Sequence, residues 1–203
     1  MFIKAIYFDI GGVLVRTEDK TPRTRLAARL GMTFEALEET VFGGDHGRKA
    51  QLGEFTAEDQ WAYVCQQIKW PFDHWRDLEA EFFAGDRLDN ELVDYIRGLH
   101  GRYKTGAISN ALSDVRTVIL NKWHMTDAFD VLVLSAEEGV MKPDARIFQI
   151  ALDALGVQAA EAVFVDDNLH NVEGARAVGM QTVQFTNPEQ VHKDLENILY
   201  LYK

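Results

Sequence analysis

The chain has 203 residues, of which 47% are hydrophobic and 26% are charged, a composition typical of a globular protein with one good core and a modest second lobe. Its formal net charge of −11 opposes binding to nucleic acid or to an anionic membrane. The opening apolar run is too short for a secretory or membrane-spanning segment, and the single cysteine, Cys65, excludes an internal disulfide framework. We therefore predict a cytoplasmic protein.

Residues 3–8 form a short apolar run rich in β-branched and aromatic side chains, which is typical of a strand buried on both faces of a parallel sheet. Asp9 ends this run. Gly11 and Gly12 follow, so the chain can turn sharply and present backbone N–H groups to an anion beside the carboxylate. Such a carboxylate can be a nucleophile, a metal ligand or both, although Asp followed by Gly often only caps a strand or opens a turn.

The sequence from about residue 21 to about residue 83 has a helical apolar pattern. Thr56 predicts a helix N-terminus, and Pro71 breaks the helix that follows it. Between these two residues one apolar stripe has the spacing i, i+3, i+4, i+7, and it consists of Trp61, Val64, Cys65 and Ile68. These patterns predict a small all-helical unit inserted after the first strand, over residues 16–88.

The run Gly-Gly-Asp-His-Gly-Arg at residues 43–48 is polar and rich in glycine. It predicts a flexible loop over a site, which makes His46 and Arg48 candidate substrate contacts. Such residues are more often merely solvated.

From residue 89 short strands alternate with helices, as in α/β proteins. We predict an α/β fold with a doubly wound, mostly parallel Rossmann-like sheet, formed by residues 1–15 and 89–203. In such a sheet ligands bind at the carboxyl ends of strands, near a switch in strand order. The polar residues predicted at these strand ends are Asp9, Ser109, Asn110, Ser135, Asp166 and Asp167.

Asp166 and Asp167 directly follow the apolar run 162–165. Adjacent carboxylates repel one another and are unfavourable near a core unless a cation pairs them. Mg²⁺ typically takes one or two carboxylates together with waters and substrate phosphate. Asp9, the Gly11 carbonyl oxygen and one carboxylate of the pair would be enough to hold it. The alternative is an acidic turn in which an aspartate caps the next helix.

Two further features predict phosphate binding. Pro143 leaves Lys142 at the entrance of a helix, where its ammonium can reach a phosphate or hold the carboxylates apart. Ser109 offers a hydroxyl beside backbone N–H groups at a helix start. Taken singly, an exposed lysine is usually a solvated charge, and Ser-Asn after a strand is more often a helix cap.

Four segments in this order resemble the motifs of the haloacid dehalogenase-like hydrolase superfamily. They are Phe8-Asp9-x-Gly11-Gly12-Val13-Leu14, Ile108-Ser109-Asn110, Lys142-Pro143-Asp144 and Val165-Asp166-Asp167 with the glycine-containing helix that follows. The resemblance spans nearly the whole chain. It implies a doubly wound sheet with a mobile cap, and it implies that the helical unit is that cap.

The resemblance also implies a role for each motif residue. Asp9 would be the nucleophile that forms an aspartyl-phosphate, Ser109 and Lys142 would hold the phosphoryl group, and Asn110 would lie near the substrate. Asp167 would ligate Mg²⁺ directly, and Asp166 would act through water or Lys142. The expected protein is a Mg²⁺-dependent phosphatase of a small phosphorylated metabolite, as a monomer or homodimer, with Gly11 and Gly12 beside the phosphate.

One position departs from the family pattern. The phosphatases of the family usually carry a second aspartate two residues after the nucleophile, as general acid and then general base, and Gly11 stands there in this chain. A good leaving group needs that acid least, so we expect sugar 1-phosphates, acyl phosphates or aryl phosphates as substrates.

Two alternatives follow from the same departure. A hydrolytic 2-haloacid dehalogenase, in which Asp9 attacks carbon without a metal, also lacks the second aspartate. An unscreened pair at Asp166 and Asp167 would, however, repel an anionic haloacid. The other alternative is a non-catalytic member that keeps the fold to bind a ligand or a regulatory partner.

Overall fold

The computed structural model describes residues 2–201. In chain order its strands are β1 (Ala5–Phe8), β2 (Val15–Thr17), β3 (Asp86–Leu88), β4 (Lys104–Ser109), β5 (Val131–Leu134), β6 (Ala162–Asp166) and β7 (Gln181–Gln184). Its α-helices are α1 (Thr21–Arg29), α2 (Phe34–Phe42), α3 (Gly44–Gln51), α4 (Ala57–Ile68), α5 (Trp75–Phe82), α6 (Asn90–Leu99), α7 (Val115–Val118), α8 (Ser135–Glu138), α9 (Ala145–Leu155), α10 (Leu169–Ala177) and α11 (Pro188–Leu201).

The main sheet has five parallel strands in the order β5-β4-β1-β6-β7. After β1 the chain adds β4 and β5 on one side, and it then returns to add β6 and β7 on the other. The strand order therefore reverses at β1, which is the switch point where ligands bind in open parallel sheets. Phe8 lies opposite both Ala107 and Val165, so the carboxyl ends of β1, β4 and β6 are neighbours.

Helices cover both faces of this sheet. On one face α6 and α11 bury residues such as Ile96 and Leu195 against the strands, and on the other α9 does the same with Phe148. The predicted doubly wound, Rossmann-like sheet is confirmed. The apolar strand patterns made this prediction possible, because strands buried on both faces are apolar throughout.

The helical unit has a hydrophobic core of its own. Helices α1, α2, α4 and α5 bury Leu26, Leu37, Val64, Leu78 and other apolar side chains together. The predicted start of α4 is confirmed, since Thr56 and Asp59 form a reciprocal capping box. Cys65 is buried in this core, and burial raises the pKa of its thiol, as expected of a packing residue.

An antiparallel ribbon of β2 and β3 joins the helical unit to the sheet. It lies where we predict the boundaries after residues 15 and 88. The sequence pattern did not predict these strands, because three residues are too few to show a period. Arg16 of β2 joins the ribbon to the turn after β1 and to the start of α6, since its guanidinium donates to the Val13 carbonyl oxygen at 2.6 Å and to Asp89 Oδ2 at 2.9 Å.

Residues 43–48, predicted to form a loop, instead belong largely to helix α3. Gly47 allows close packing of this helix against the end of α2, since a Cβ atom there would lie 2.6 Å from the Phe42 carbonyl carbon. Asp45 and Lys49 form an ion pair one helical turn apart, at 2.9 Å. The apolar spacing of Leu112, Val115 and Ile119 predicts one helical face, and in the structure the helix begins only at Val115, with α7 followed by a π-helical turn at Ile119–Trp123.

We find in residues 2–201 no helix that is both long and apolar enough to cross a membrane.

Candidate active site

Asp9 lies buried at the carboxyl end of β1, with only 7% of its surface exposed. Its position is set by two backbone hydrogen bonds: the Asp9 N–H donates to the Val165 carbonyl oxygen at 2.8 Å, and the Ile10 N–H donates to Asp9 Oδ1 at 2.7 Å. The hydrogen bond to Val165 thus fixes the backbone of Asp9, and the Ile10 N–H fixes the orientation of its carboxylate.

The two glycines after Asp9 differ in what they require. Gly12 has a φ of 81°, and a Cβ atom there would lie 2.4 Å from Asp167 Oδ2, so only glycine fits. Its N–H donates to the Val15 carbonyl oxygen at 2.9 Å and is therefore used within the turn. At Gly11 an added Cβ atom would meet no atom of residues 2–201 within 4 Å, so the space beside Asp9 is open.

Lys142 is fully buried between two carboxylates. Its Nζ lies 2.8 Å from Asp9 Oδ1 and 2.7 Å from Asp166 Oδ2. Both oxygens of Asp166 also accept from the Asn171 side-chain amide at 3.1 Å, and the Asn168 N–H donates to Asp166 Oδ1 at 2.8 Å. Asp166 is thus held by donors of this chain, whereas the neighbouring Asp167 is exposed.

The chemistry of this cluster fits a divalent cation. One carboxylate oxygen each of Asp9, Asp166 and Asp167 lie within 4.8 Å of one another. With a single ammonium nearby, three ionised carboxylates leave two negative charges uncompensated. Oxygen ligands with this excess charge suit a hard cation such as Mg²⁺.

The same crowding changes the acidity of the cluster. Burial raises the pKa of Asp9 to about 7 and has the largest effect. The Lys142 ammonium lowers this pKa, and the negative charge of Asp166 raises it. Desolvation, together with the charge of Asp166, also raises the pKa of Asp167. In the metal-free protein Asp9 therefore holds a proton below about pH 7, and the pKa of Asp167 is shifted in the same direction.

Ser109 and Asn110 end the neighbouring strand β4. Ser109 is buried and, with Gly11 and Gly12, lines a cavity beside Asp9. The Asn110 side chain also borders the cavity, but both of its ends bind the backbone of Lys142, at 2.8 and 3.1 Å. Asn110 thus positions the lysine, a role that the sequence motif alone did not indicate.

Ser135, also predicted at a strand end, makes a different connection. Its hydroxyl accepts from the Ala111 N–H at 2.9 Å and donates to the Gln51 carbonyl oxygen at 2.6 Å. It therefore joins the loop after β4 to helix α3 of the helical unit.

A cavity of about 710 Å³ lies between the sheet and the helical unit. Its floor includes Ser109, Asn110 and the two glycines after Asp9. His46 and Arg48, the candidate substrate contacts, do not line it; His46 stacks between Phe55 and Tyr63, with ring centroids 4.3 and 4.0 Å away.

The sequence analysis missed Asn171. Its spacing of five residues after Asp166, across a helix start, was the available signal, because the first turn of that helix brings the amide back to the strand end.

A parallel α/β sheet with a carboxylate at its switch point, a buried lysine and an adjacent acidic pair defines a class of hydrolases. The family model of haloacid dehalogenase-like hydrolases matches residues 3–179, and this chain belongs to that family. It is a hydrolase.

Individual relatives agree with this assignment. The chain is 28% identical to D-ribitol-5-phosphate phosphatase of Bacteroides thetaiotaomicron, over 97% of this chain and 98% of that protein. It is 33% identical to drimenol cyclase drtB of Aspergillus calidoustus over 97% of this chain, which spans only 36% of drtB. The fold is similar to that of a HAD family enzyme of B. thetaiotaomicron solved with magnesium and inorganic phosphate, with a TM-score of 0.76, 19% identity and coverage of 92% of this chain and 96% of that one.

Proposed function

We propose that this chain is a Mg²⁺-dependent phosphatase that hydrolyses a small phosphate monoester through an aspartyl-phosphate on Asp9. The observation that carries the proposal is the arrangement of carboxylates around Lys142 at the carboxyl ends of β1 and β6. There a buried carboxylate shares one lysine with Asp166 and borders both open space at Gly11 and the exposed carboxylate of Asp167.

In the first step an Asp9 carboxylate oxygen attacks phosphorus, and the bond between phosphorus and the ester oxygen breaks. The leaving alcohol or phenol departs with the bonding electron pair. Lys142 and the Ser109 hydroxyl hold the phosphoryl oxygens while Asp9 is phosphorylated. Asp9 and Asp167, with the Gly11 carbonyl oxygen, hold Mg²⁺, which when bound offsets the negative charge of the phosphoryl group.

In the second step water attacks phosphorus, the bond between phosphorus and Asp9 breaks, and inorganic phosphate leaves with the water protons shared between phosphate and solvent. Asn110 and Asn171 act indirectly in both steps. Asn110 fixes the lysine backbone, and Asn171 fixes the carboxylate of Asp166 that receives the lysine ammonium.

The relatives support the reaction class. A relative of nearly equal length bears the name of a phosphatase, and a structural neighbour binds magnesium and phosphate. We further propose that residues 16–88 form a cap domain over a core of residues 1–15 and 89–203. The cytoplasmic location, the choice of monomer or homodimer and the identity of the phosphorylated metabolite remain predictions.

The test is release of phosphate from p-nitrophenyl phosphate, with Mg²⁺ and with excess chelator, by the wild type and by Asp9→Asn. We expect activity that needs both Mg²⁺ and Asp9. Asp153→Asn, a change on the exposed side of α9, is the control and should retain full activity. Activity of Asp9→Asn equal to the wild type would refute the proposal. Metal-independent release of chloride from 2-chloropropionate would instead support a dehalogenase.

A further inference from the structure

The cavity above Asp9 is larger than a phosphoryl group requires. Its volume of about 710 Å³ lies within the range of pockets that enclose whole organic ligands, roughly 300 to 1,000 Å³. Gly11, Gly12, Ser109 and Asn110, which line the cavity, lie just after Asp9 in the chain or at the end of the neighbouring strand, so the remaining lining faces the leaving group of a phosphate bound there. The residues of the cavity walls therefore indicate which kind of leaving group the site can bind.

The walls are largely apolar on both sides. The core side is a single stretch that includes Leu112, Val115, Val118, Ile119 and Trp123. The helical unit adds Phe42, Ala80 and Phe83, and the Phe42 and Phe83 rings lie 6.2 Å apart between centroids. Such a surface binds apolar and aromatic groups, since contact removes both partners from water.

Five of the seven charged residues that line the cavity have partners, whereas Asp114 and Lys122 form no ion pair or side-chain hydrogen bond within residues 2–201. Arg23 pairs with Glu38 at 2.5 Å and with Asp86 at 3.0 Å, and its guanidinium lies 3.9 Å from the Phe82 ring centroid.

The same holds for two more wall residues. Arg16 is bound to Asp89, and Glu79 accepts from the Trp61 indole N–H at 3.1 Å. Of the charged wall residues that the structure describes, only Asp114 and Lys122 are left to bind a ligand. A sugar would place its other hydroxyl groups against satisfied pairs and apolar walls, at a cost for each hydroxyl left without a partner.

The open space at Gly11 adds a second constraint. No side chain there protonates the leaving oxygen, so the leaving group must depart as a stable anion. A phenol, with a pKa of about 10, meets this need far better than an aliphatic alcohol. The apolar walls and the absence of an acid at Gly11 thus favour the same substrates, namely those whose leaving group is apolar and stable as an anion.

The geometry points to aryl phosphates with a bulky apolar ring system as the substrate class of this site, an inference that rests on the proposed phosphatase function. Asp9 attacks phosphorus, the bond between phosphorus and the aryl oxygen breaks, and the phenolate leaves with the electron pair and takes a proton from solvent. Of the three substrate classes expected from the sequence, the walls favour the aryl class.

The first experiment compares kcat/KM for four substrates with Mg²⁺. We expect kcat/KM for 1-naphthyl phosphate to exceed kcat/KM for glucose 1-phosphate and for n-octyl phosphate by at least about tenfold. Glucose 1-phosphate should be poor because its hydroxyl groups meet apolar walls, and n-octyl phosphate should be poor because no acid protonates its leaving oxygen. Glucose 1-phosphate at or above the naphthyl rate overturns the inference. Octyl phosphate at the naphthyl rate overturns its aromatic part.

Acetyl phosphate, the fourth substrate, is too small to reach the walls and tests the chemistry alone. If acetyl phosphate is hydrolysed in a reaction that needs Asp9 but naphthyl phosphate is not preferred, the substrate class is wrong and the phosphatase proposal stands. If the wild type hydrolyses none of the four, the phosphatase proposal itself fails, and the inference fails with it.

Two variants on one helical stretch locate the effect. Val118→Asp puts a charge into the wall, and Leu120→Asp changes a side chain that is 53% exposed and lies outside the wall. Val118→Asp should lower kcat/KM for naphthyl phosphate about tenfold and leave acetyl phosphate within about twofold, whereas Leu120→Asp should change neither. Phe42→Ala, on the opposite wall, gives a second reading if Val118→Asp fails to fold. Unchanged naphthyl turnover in the wall variants contradicts the inference.

Discussion

Asn110 and Lys142 hold one another through two hydrogen bonds: the Lys142 N–H donates to Asn110 Oδ1 at 2.8 Å, and Asn110 Nδ2 donates to the Lys142 carbonyl oxygen at 3.1 Å. This clamp joins the end of β4 to the segment before α9. It sets the place from which the lysine ammonium reaches Asp9.

Asn110→Ala should therefore reduce kcat more than it changes KM for acetyl phosphate. We expect a loss of roughly 10- to 100-fold in kcat, since displacement of a positioned group by about 1 Å has effects of that size. Steady-state kinetics measure the two constants separately, with the exposed Asn90→Ala as control. A rise in KM at unchanged kcat would mean that Asn110 acts by binding substrate instead.

Substitutions at the two glycines after Asp9 should have opposite effects on activity. Gly11→Asp should fit, because the space there is open, and should restore an acid beside Asp9. We expect turnover of n-octyl phosphate to rise by roughly 100-fold, the lower end of the range for general acid catalysis, with little change for 1-naphthyl phosphate.

Gly12→Ala is the matched change at the next residue. It should abolish activity on both esters, because its Cβ atom would displace the Asp167 carboxylate and its φ is positive. Parallel assays of the two variants check both expectations. A Gly12→Ala protein with wild-type activity would show that Asp167 need not stay in place.

Mg²⁺ affinity should depend on pH. Because burial raises the pKa of Asp9 to about 7, this carboxyl holds a proton below that pH in the metal-free protein, and Mg²⁺ must displace it. One such proton predicts affinity about tenfold weaker at pH 6 than at pH 8. Calorimetric titration at the two pH values measures this, with Asp9→Asn expected to bind more weakly and with a smaller pH dependence. Equal dissociation constants for the wild type would contradict the shifted pKa.

Lys142 should be critical for stability as well as for catalysis. Lys142→Met leaves Asp9 and Asp166 buried without a cation, which should lower the free energy of unfolding by about 3–5 kcal/mol at pH 8. The raised Asp9 pKa makes the charged form unfavourable above pH 7, so the loss should shrink at pH 5.5, where Asp9 is neutral.

Urea unfolding in chelator at the two pH values measures this effect. Lys4→Met, which breaks the 2.6 Å surface pair with Glu161, is the control and should cost at most about 1 kcal/mol. Equal losses in the two variants would show that burial of the lysine contributes nothing.

The sheet and the core of the helical unit could be predicted from the sequence because both rest on local periodicity. In the stripe from Trp61 to Ile68 and in the apolar strands, a few neighbouring residues are enough to show which side chains are buried. The prediction was wrong at residues 43–48, where three glycines suggested a loop. There Gly47 allows close packing against the Phe42 backbone, a contact that a local sequence pattern does not show.

The sequence by itself determined which polar residues end the strands, their order along the chain and the absence of an acid at Gly11. These features follow from short patterns and from residue identity. Only the tertiary structure decided that Lys142 is buried between Asp9 and Asp166, that Asn110 clamps its backbone, and that the cavity walls are largely apolar. These contacts join segments far apart in the chain, and their geometry arises only when strands and helices pack together.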